Sequence, residues 1–98
     1  MKSPNGQFEV ICTDFQEVRM GSPLFGRIEL KETSFQLDGR EFGEAMAFSK
    51  DSRFFAANQL RIAKGNPLYR IVVFDLQTEI EITVDSGDGL VRRIEWDE

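Results

Sequence analysis

No window of this chain carries an apolar stripe at helical spacing long enough to make a helix face. Its apolar residues fall instead in short runs, several of them alternating, with turn residues between them. That pattern dictates strands. The runs are Phe8 to Thr13, Leu24 to Leu30, Gly43 to Phe48, Arg53 to Ala57, Gln59 to Ala63, Leu68 to Leu76, Glu79 to Val84 and Leu90 to Trp96. Ile71-Val72-Val73-Phe74 is continuously apolar and reads as a strand covered on both faces. Glu79-Ile80-Glu81-Ile82-Thr83-Val84 alternates strictly and reads as half-buried. Gly43 to Phe48 has the highest helix propensity but is short, and it is read as a strand.

The connectors carry the matching turn chemistry. Pro4-Asn5-Gly6, Asp38-Gly39, Gly65-Asn66-Pro67 and Asp85-Ser86-Gly87-Asp88-Gly89 hold residues that tolerate a positive φ or preset a negative one. Nine Phe fit the same reading, because aromatic side chains favour strands. The 98 residues suffice for one domain, residues 1–98, with a modest core. The expected class is all-β, with short antiparallel strands.

The chain also aligns with itself. Ser22-Pro23-Leu24-Phe25-Gly26-Arg27-Ile28-Glu29-Leu30 matches Asn66-Pro67-Leu68-Tyr69-Arg70-Ile71-Val72-Val73-Phe74 at an offset of 44. Ser3-Pro4-Asn5-Gly6-Gln7-Phe8 matches Ser49-Lys50-Asp51-Ser52-Arg53-Phe54 at 46, and Phe48 matches Trp96 at 48. The unit so defined is about four strands long, so the chain holds about two blade-like four-stranded units.

The stretch Ala47-Phe48-Ser49-Lys50-Asp51-Ser52-Arg53-Phe54-Phe55-Ala56-Ala57, followed by Arg70-Ile71-Val72-Val73-Phe74-Asp75-Leu76-Gln77-Thr78, resembles a blade of the WD40-like β-propellers. In that family an aromatic-Ser-x-Asp-Gly turn precedes a strand, and an Asp follows a later apolar strand. The resemblance spans residues 43–84 and extends to 3–31. Gly-His is absent and Phe74-Asp75 stands in place of Trp-Asp, so the resemblance implies blade-like packing rather than membership of a particular propeller family. Joined tail to head, Ile94-Glu95-Trp96 and Ser3-Pro4-Asn5-Gly6-Gln7-Phe8 read like residues 47–55. Three arrangements follow: copies sharing blades in an oligomeric propeller ring, a monomeric small sandwich or barrel, or a piece of a longer propeller.

Charge is unevenly placed. The net charge is −5, but residues 75–98 hold eight acidic side chains against Arg92 and Arg93. An acidic chain argues against nucleic acid as a partner. No stretch approaches the roughly 20 apolar residues of a membrane span. Met1 to Gly6 leads straight into a strand-like run, so no signal peptide is expected. The single cysteine, Cys12, allows no internal disulfide, which points to a reducing, cytoplasmic setting; within its apolar run it reads as a buried small hydrophobe.

Several chemistries are missing. Without histidine there is no Ser-His-Asp or Cys-His nucleophile and no imidazole metal site. One cysteine cannot build a thiolate zinc site, and no phosphate-binding glycine loop is present. Asp85 to Gly89 lacks calcium-loop spacing and reads as a hairpin turn. The expectation is therefore no catalysis, no cofactor and no metal.

What remains is recognition. The leading expectation is a non-catalytic protein-interaction module, for instance an immunity-type protein that binds a basic partner through an acidic face. Candidate partner-binding residues are Tyr69, Asp85, Asp88, Arg92, Arg93, Asp97 and Glu98. Trp96, aligned with Phe48, is read as core. The alternative is a small-ligand or glycan-binding homo-oligomer with Tyr69, Phe25 and Trp96 at pocket rims. A third is an accessory domain with no soluble ligand of its own.

Overall fold

The computed structural model describes residues 1–17, 24–63, 65–85 and 94–96. The fold is all-β. Six strands run β1 (Glu9–Glu17), β2 (Leu24–Lys31), β3 (Glu41–Phe48), β4 (Phe54–Ala63), β5 (Asn66–Asp75) and β6 (Ile80–Asp85). They form one antiparallel sheet in chain order, so every strand pairs with its sequence neighbours. Among the described residues no helix is long and apolar enough to cross a membrane.

Two expected strands, Arg53 to Ala57 and Gln59 to Ala63, are one continuous strand. β4 pairs with β5 in ten unbroken steps, from Phe54 opposite Asp75 to Ala63 opposite Asn66. The polar Asn58 marks no break, because it sits inside the ladder opposite Ile71. At the far end of this hairpin Gly65 adopts φ +78°, the left-handed conformation a tight loop needs. The expected strand Leu90 to Trp96 lies mostly outside the described residues, and its last part, 94–96, is not strand.

The sheet divides into an inner and an outer face. Phe42, Phe55 and Phe74 are fully buried on the inner face, together with Ala57 and Val72. Each such Phe contributes about 1.5–3 kcal/mol by leaving water. Phe8, Val10, Ile28 and Leu30 from the β1–β2 end join the same cluster, so the sheet folds over on itself. Leu37 and Phe35 from the β2–β3 connection fill the fold, Phe35 meeting Phe74 edge to face at 4.9 Å.

The join between the two halves is narrow. β2 and β3 share only the pairs Phe25 with Gly43 and Gly26 with Phe42. Both glycines are closely approached by their neighbours. A Cβ on Gly26 would lie 2.3 Å from Phe15 Cδ1 and 2.7 Å from the Thr13 carbonyl oxygen, and one on Gly43 would lie 2.8 Å from Phe25 Cε1.

Cys12 is exposed rather than buried. It lies on β1, the outermost strand of its half of the described sheet. Partial desolvation raises its thiol above the ordinary value, which lowers the thiolate fraction.

Candidate functional site

The geometry begins with the turn that enters β4. The Ser49 amide donates to the Phe54 carbonyl at 2.8 Å, and the Phe54 amide donates back to Ser49 Oγ at 2.9 Å. The Ser49 hydroxyl donates to Asp51 at 2.6 Å, and Asp51 also accepts the Arg53 amide at 3.0 Å. These donors, the Ser49 hydroxyl first, hold the Asp51 carboxyl below its ordinary value. Ser52 takes the left-handed conformation at φ +63°.

The turn that enters β1 is wired in the same way. Ser3 and Phe8 exchange the same pair of bonds at 2.9 and 3.0 Å. Asn5 Oδ1 accepts from Ser3 Oγ and from the Gln7 amide at 2.8 and 2.9 Å. Gly6, at φ +76°, stands where the other turn has Ser52. The two turns also touch, since the Asn5 amide donates to Ser52 Oγ at 2.9 Å.

Arg53 carries the second turn's position across to β6. Its guanidinium forks onto Asp75 at 3.3 and 3.0 Å and lies 4.9 Å from the centre of the Phe54 ring. Asp75 closes β5 and also accepts the Gln77 and Thr78 amides. The Arg53 guanidinium, aided by those amides, holds the Asp75 carboxyl down at about 2. The Glu79 amide donates to the Asp75 carbonyl at 2.8 Å, and Glu79 turns the chain into β6 at φ +60°.

Among the described residues, β6 is fastened through the side that carries Glu81. Arg40 donates to both carboxylate oxygens of Glu81 and to Gln59 Oε1, the last at 2.7 Å. Its guanidinium also lies over the Phe42 and Phe74 rings, at 5.2 and 5.9 Å. The opposite side of β6 carries Ile80, Ile82 and Val84, exposed at 55%, 49% and 48%. Burial fades along the outer-face rows. Ala56 is buried, Val73 opposite it is half-buried, and Ile82 opposite Val73 is exposed. Asn58, Ile71 and Val84 repeat the gradient. The Glu79 to Val84 alternation thus forms its strand but does not bury its apolar row, because β6 is the last strand of the described sheet and none of the described residues covers that face. Ile71 and Val73, expected to be covered, are half-covered for the same reason.

A second feature lies beside the Ser49 turn. Trp96 stacks on Phe54 at 5.7 Å and donates from Nε1 to the Ala47 carbonyl at 3.0 Å. With Lys50 and Asp51 these rings line an open cleft of about 620 Å³. Trp96 is half-buried, a platform rather than a core residue.

Of the residues expected to bind a partner, Tyr69 is half-buried on the outer face and packs against Phe25 at 5.7 Å. Asp85 is the last residue of β6, paired with Arg70. Asp88, Arg92, Arg93, Asp97 and Glu98 lie outside the described residues. Phe25 and Tyr69 are brought together, whereas Trp96 joins Phe54 instead. Sequence reasoning missed Ile80, Ile82 and Val84, since an alternating strand has the same pattern whether or not its apolar side is covered. Among the described residues no three metal-ligating side chains converge. No family model, curated protein or solved structure matches the chain.

Proposed function

We propose that this chain is a non-catalytic protein-interaction module whose contact surface is the outer face of β5 and β6. The observation that carries this reading is the exposed row Ile80, Ile82 and Val84, continued inward by Ile71 and Val73. A contiguous apolar surface at a sheet edge is the usual mark of a protein contact. The sequence from Asp75 to Val91 holds acidic residues and no Lys or Arg, which favours a basic partner. An immunity-type protein is one form such a module takes.

The test is affinity capture at low salt with the natural chain and with the triple variant Ile80→Thr, Ile82→Thr, Val84→Thr. These side chains are exposed, and threonine keeps the strand preference, so the variant folds. A protein held by the natural chain and lost by the variant supports the reading. An identical set of retained proteins, or none, ends it.

A second reading, small-ligand or glycan binding, is supported by the Phe54–Trp96 stack and its open cleft. Hits on a glycan array that vanish with Trp96→Ala would favour it. The matched wiring of the Ser3 and Ser49 turns supports a repeated, blade-like unit, and light scattering across a dilution series tests whether copies join into a ring.

A further inference from the structure

Asparagine is chemically labile where the next amide nitrogen can reach its side-chain carbonyl carbon, and a following glycine, having no Cβ, leaves that approach open. The chain has three asparagines, Asn5, Asn58 and Asn66. Asn66 precedes Pro67, whose nitrogen carries no hydrogen to give up. Asn58 is fully buried within the unbroken β4–β5 ladder, away from hydrolytic water. Asn5 precedes Gly6, both are exposed, and a Cβ built on Gly6 would meet nothing within 4 Å.

The fold adds orientation. Two donors converge on Asn5 Oδ1, the Ser3 hydroxyl at 2.8 Å and the Gln7 amide at 2.9 Å. Donors so placed stabilise negative charge on that oxygen, which opens Cγ to a nucleophile. The backbone is held on both sides, with the Asn5 amide on Ser52 Oγ at 2.9 Å and the Gly6 amide on the Ser3 carbonyl at 2.9 Å. The bond from Gly6 must open before its nitrogen reacts, so the reaction is slow. The sister turn shows what the product looks like. Ser49-Lys50-Asp51 stands where this turn has Ser3-Pro4-Asn5, and Asp51 accepts from the Ser49 hydroxyl at 2.6 Å and the Arg53 amide at 3.0 Å. A carboxylate therefore fits this wiring, and it accepts such bonds more strongly than an amide oxygen does.

We propose that Asn5–Gly6 is a self-modifying site at which the folded turn converts Asn5 to aspartate and completes a second Ser-x-Asp turn. The Gly6 nitrogen gives up its proton and bonds to Asn5 Cγ. The bond from Cγ to Nδ2 breaks, and ammonia leaves with that proton, closing a cyclic imide. Water then adds its hydroxyl to Cγ and its hydrogen to the Gly6 nitrogen, and the bond between those two atoms breaks. Nothing is oxidised or reduced, and the chain gains a negative charge at neutral pH. Water attacking the main-chain carbonyl carbon of residue 5 instead gives isoaspartate, whose backbone runs through Cγ and is longer by a carbon. That product loses the bonds of the turn, whereas the donors at Oδ1 direct water to Cγ.

The test incubates the full chain, folded and unfolded in urea, in mildly alkaline buffer. Peptide mapping reads acid formed at each asparagine, and isoaspartyl methyltransferase labelling separates isoaspartate from aspartate. The folded chain is expected to convert at Asn5 and at neither Asn58 nor Asn66, with an isoaspartate share several-fold below that of the unfolded chain. Ser3→Ala, which lacks a donor to Oδ1, should move the folded share toward the unfolded one. Asn5→Asp, the product itself, should unfold in urea at a midpoint no lower than that of the natural chain. Asn5 remaining intact in the folded chain would overturn the proposal. So would equal isoaspartate shares in the folded and unfolded chains, an unchanged share in folded Ser3→Ala, or a lower midpoint for Asn5→Asp. Should Ser3→Ala fail to fold, the natural chain and Asn5→Asp still decide.

Discussion

Replacing Asn58 by leucine should make this protein more stable. Asn58 is fully buried in the middle of β4, and neither atom of its side-chain amide has a hydrogen-bond partner among the described residues. It faces the bulge of β3, where Phe42 pairs with Gln59 but the next pair is Met46 with Ala57. A buried amide without partners costs about 1–3 kcal/mol on protein mutational scales. Leucine branches at the same carbon with the same number of heavy atoms, and a near-isosteric exchange costs under about 1.5 kcal/mol. Asparagine is also disfavoured in strands, so propensity adds to the gain. The balance is a stabilisation of about 1 kcal/mol, which raises Tm by about 4–8 °C in a domain of this size. Urea unfolding checks it, with a higher midpoint and an unchanged slope expected. Asn58→Asp is the control, since an unpaired buried charge should cost about 3 kcal/mol or more. A lower midpoint for Asn58→Leu would refute the reasoning and show that in solution the amide is satisfied and holds the β3 bulge in place.

The two seam glycines should differ in tolerance. Gly26→Ala meets the Thr13 carbonyl and the Phe15 backbone, which cannot swing aside, and should cost about 1–3 kcal/mol in urea unfolding; Gly43→Ala meets a ring edge that can shift, and should cost less. Arg40→Ala removes its bonds to Glu81 and Gln59 and two ring contacts, so stability should fall by about 1–2 kcal/mol, with Arg40→Lys restoring only part because lysine lacks the planar fork. Asp75 sets an acid limit. Its folded value near 2 lies below the ordinary 3.8, so its contribution is complete above about pH 4 and is lost as pH falls toward 2. Unfolding midpoints measured from pH 6 to 2 should therefore decline more shallowly in Asp75→Asn than in the natural chain.

Local chemistry was legible in the residues. Alternation and β-branching marked eight runs, seven of which fall on the six strands, because the two-residue period is a property of the backbone alone. The Ser3 and Ser49 turns could be aligned by eye, because a hydroxyl and an Asx side chain two residues apart bond their own backbone wherever they occur. The acidic bias around β6 was also plain, since charge is additive along the chain.

What lay beyond the residues is which side of each strand finds a neighbour. Cys12 and the row Ile80, Ile82 and Val84 have the sequence surroundings of core positions, yet they are exposed because β1 and β6 end the described sheet. Asn58 falls between two runs read as separate strands and is instead fully buried, because ten continuous pairs hold β4 to β5 around it. Burial depends on the count of strands and the way the sheet folds over, and both are set by contacts between residues far apart in sequence. The alternation in a strand specifies two faces; only the assembled sheet decides which of them meets water.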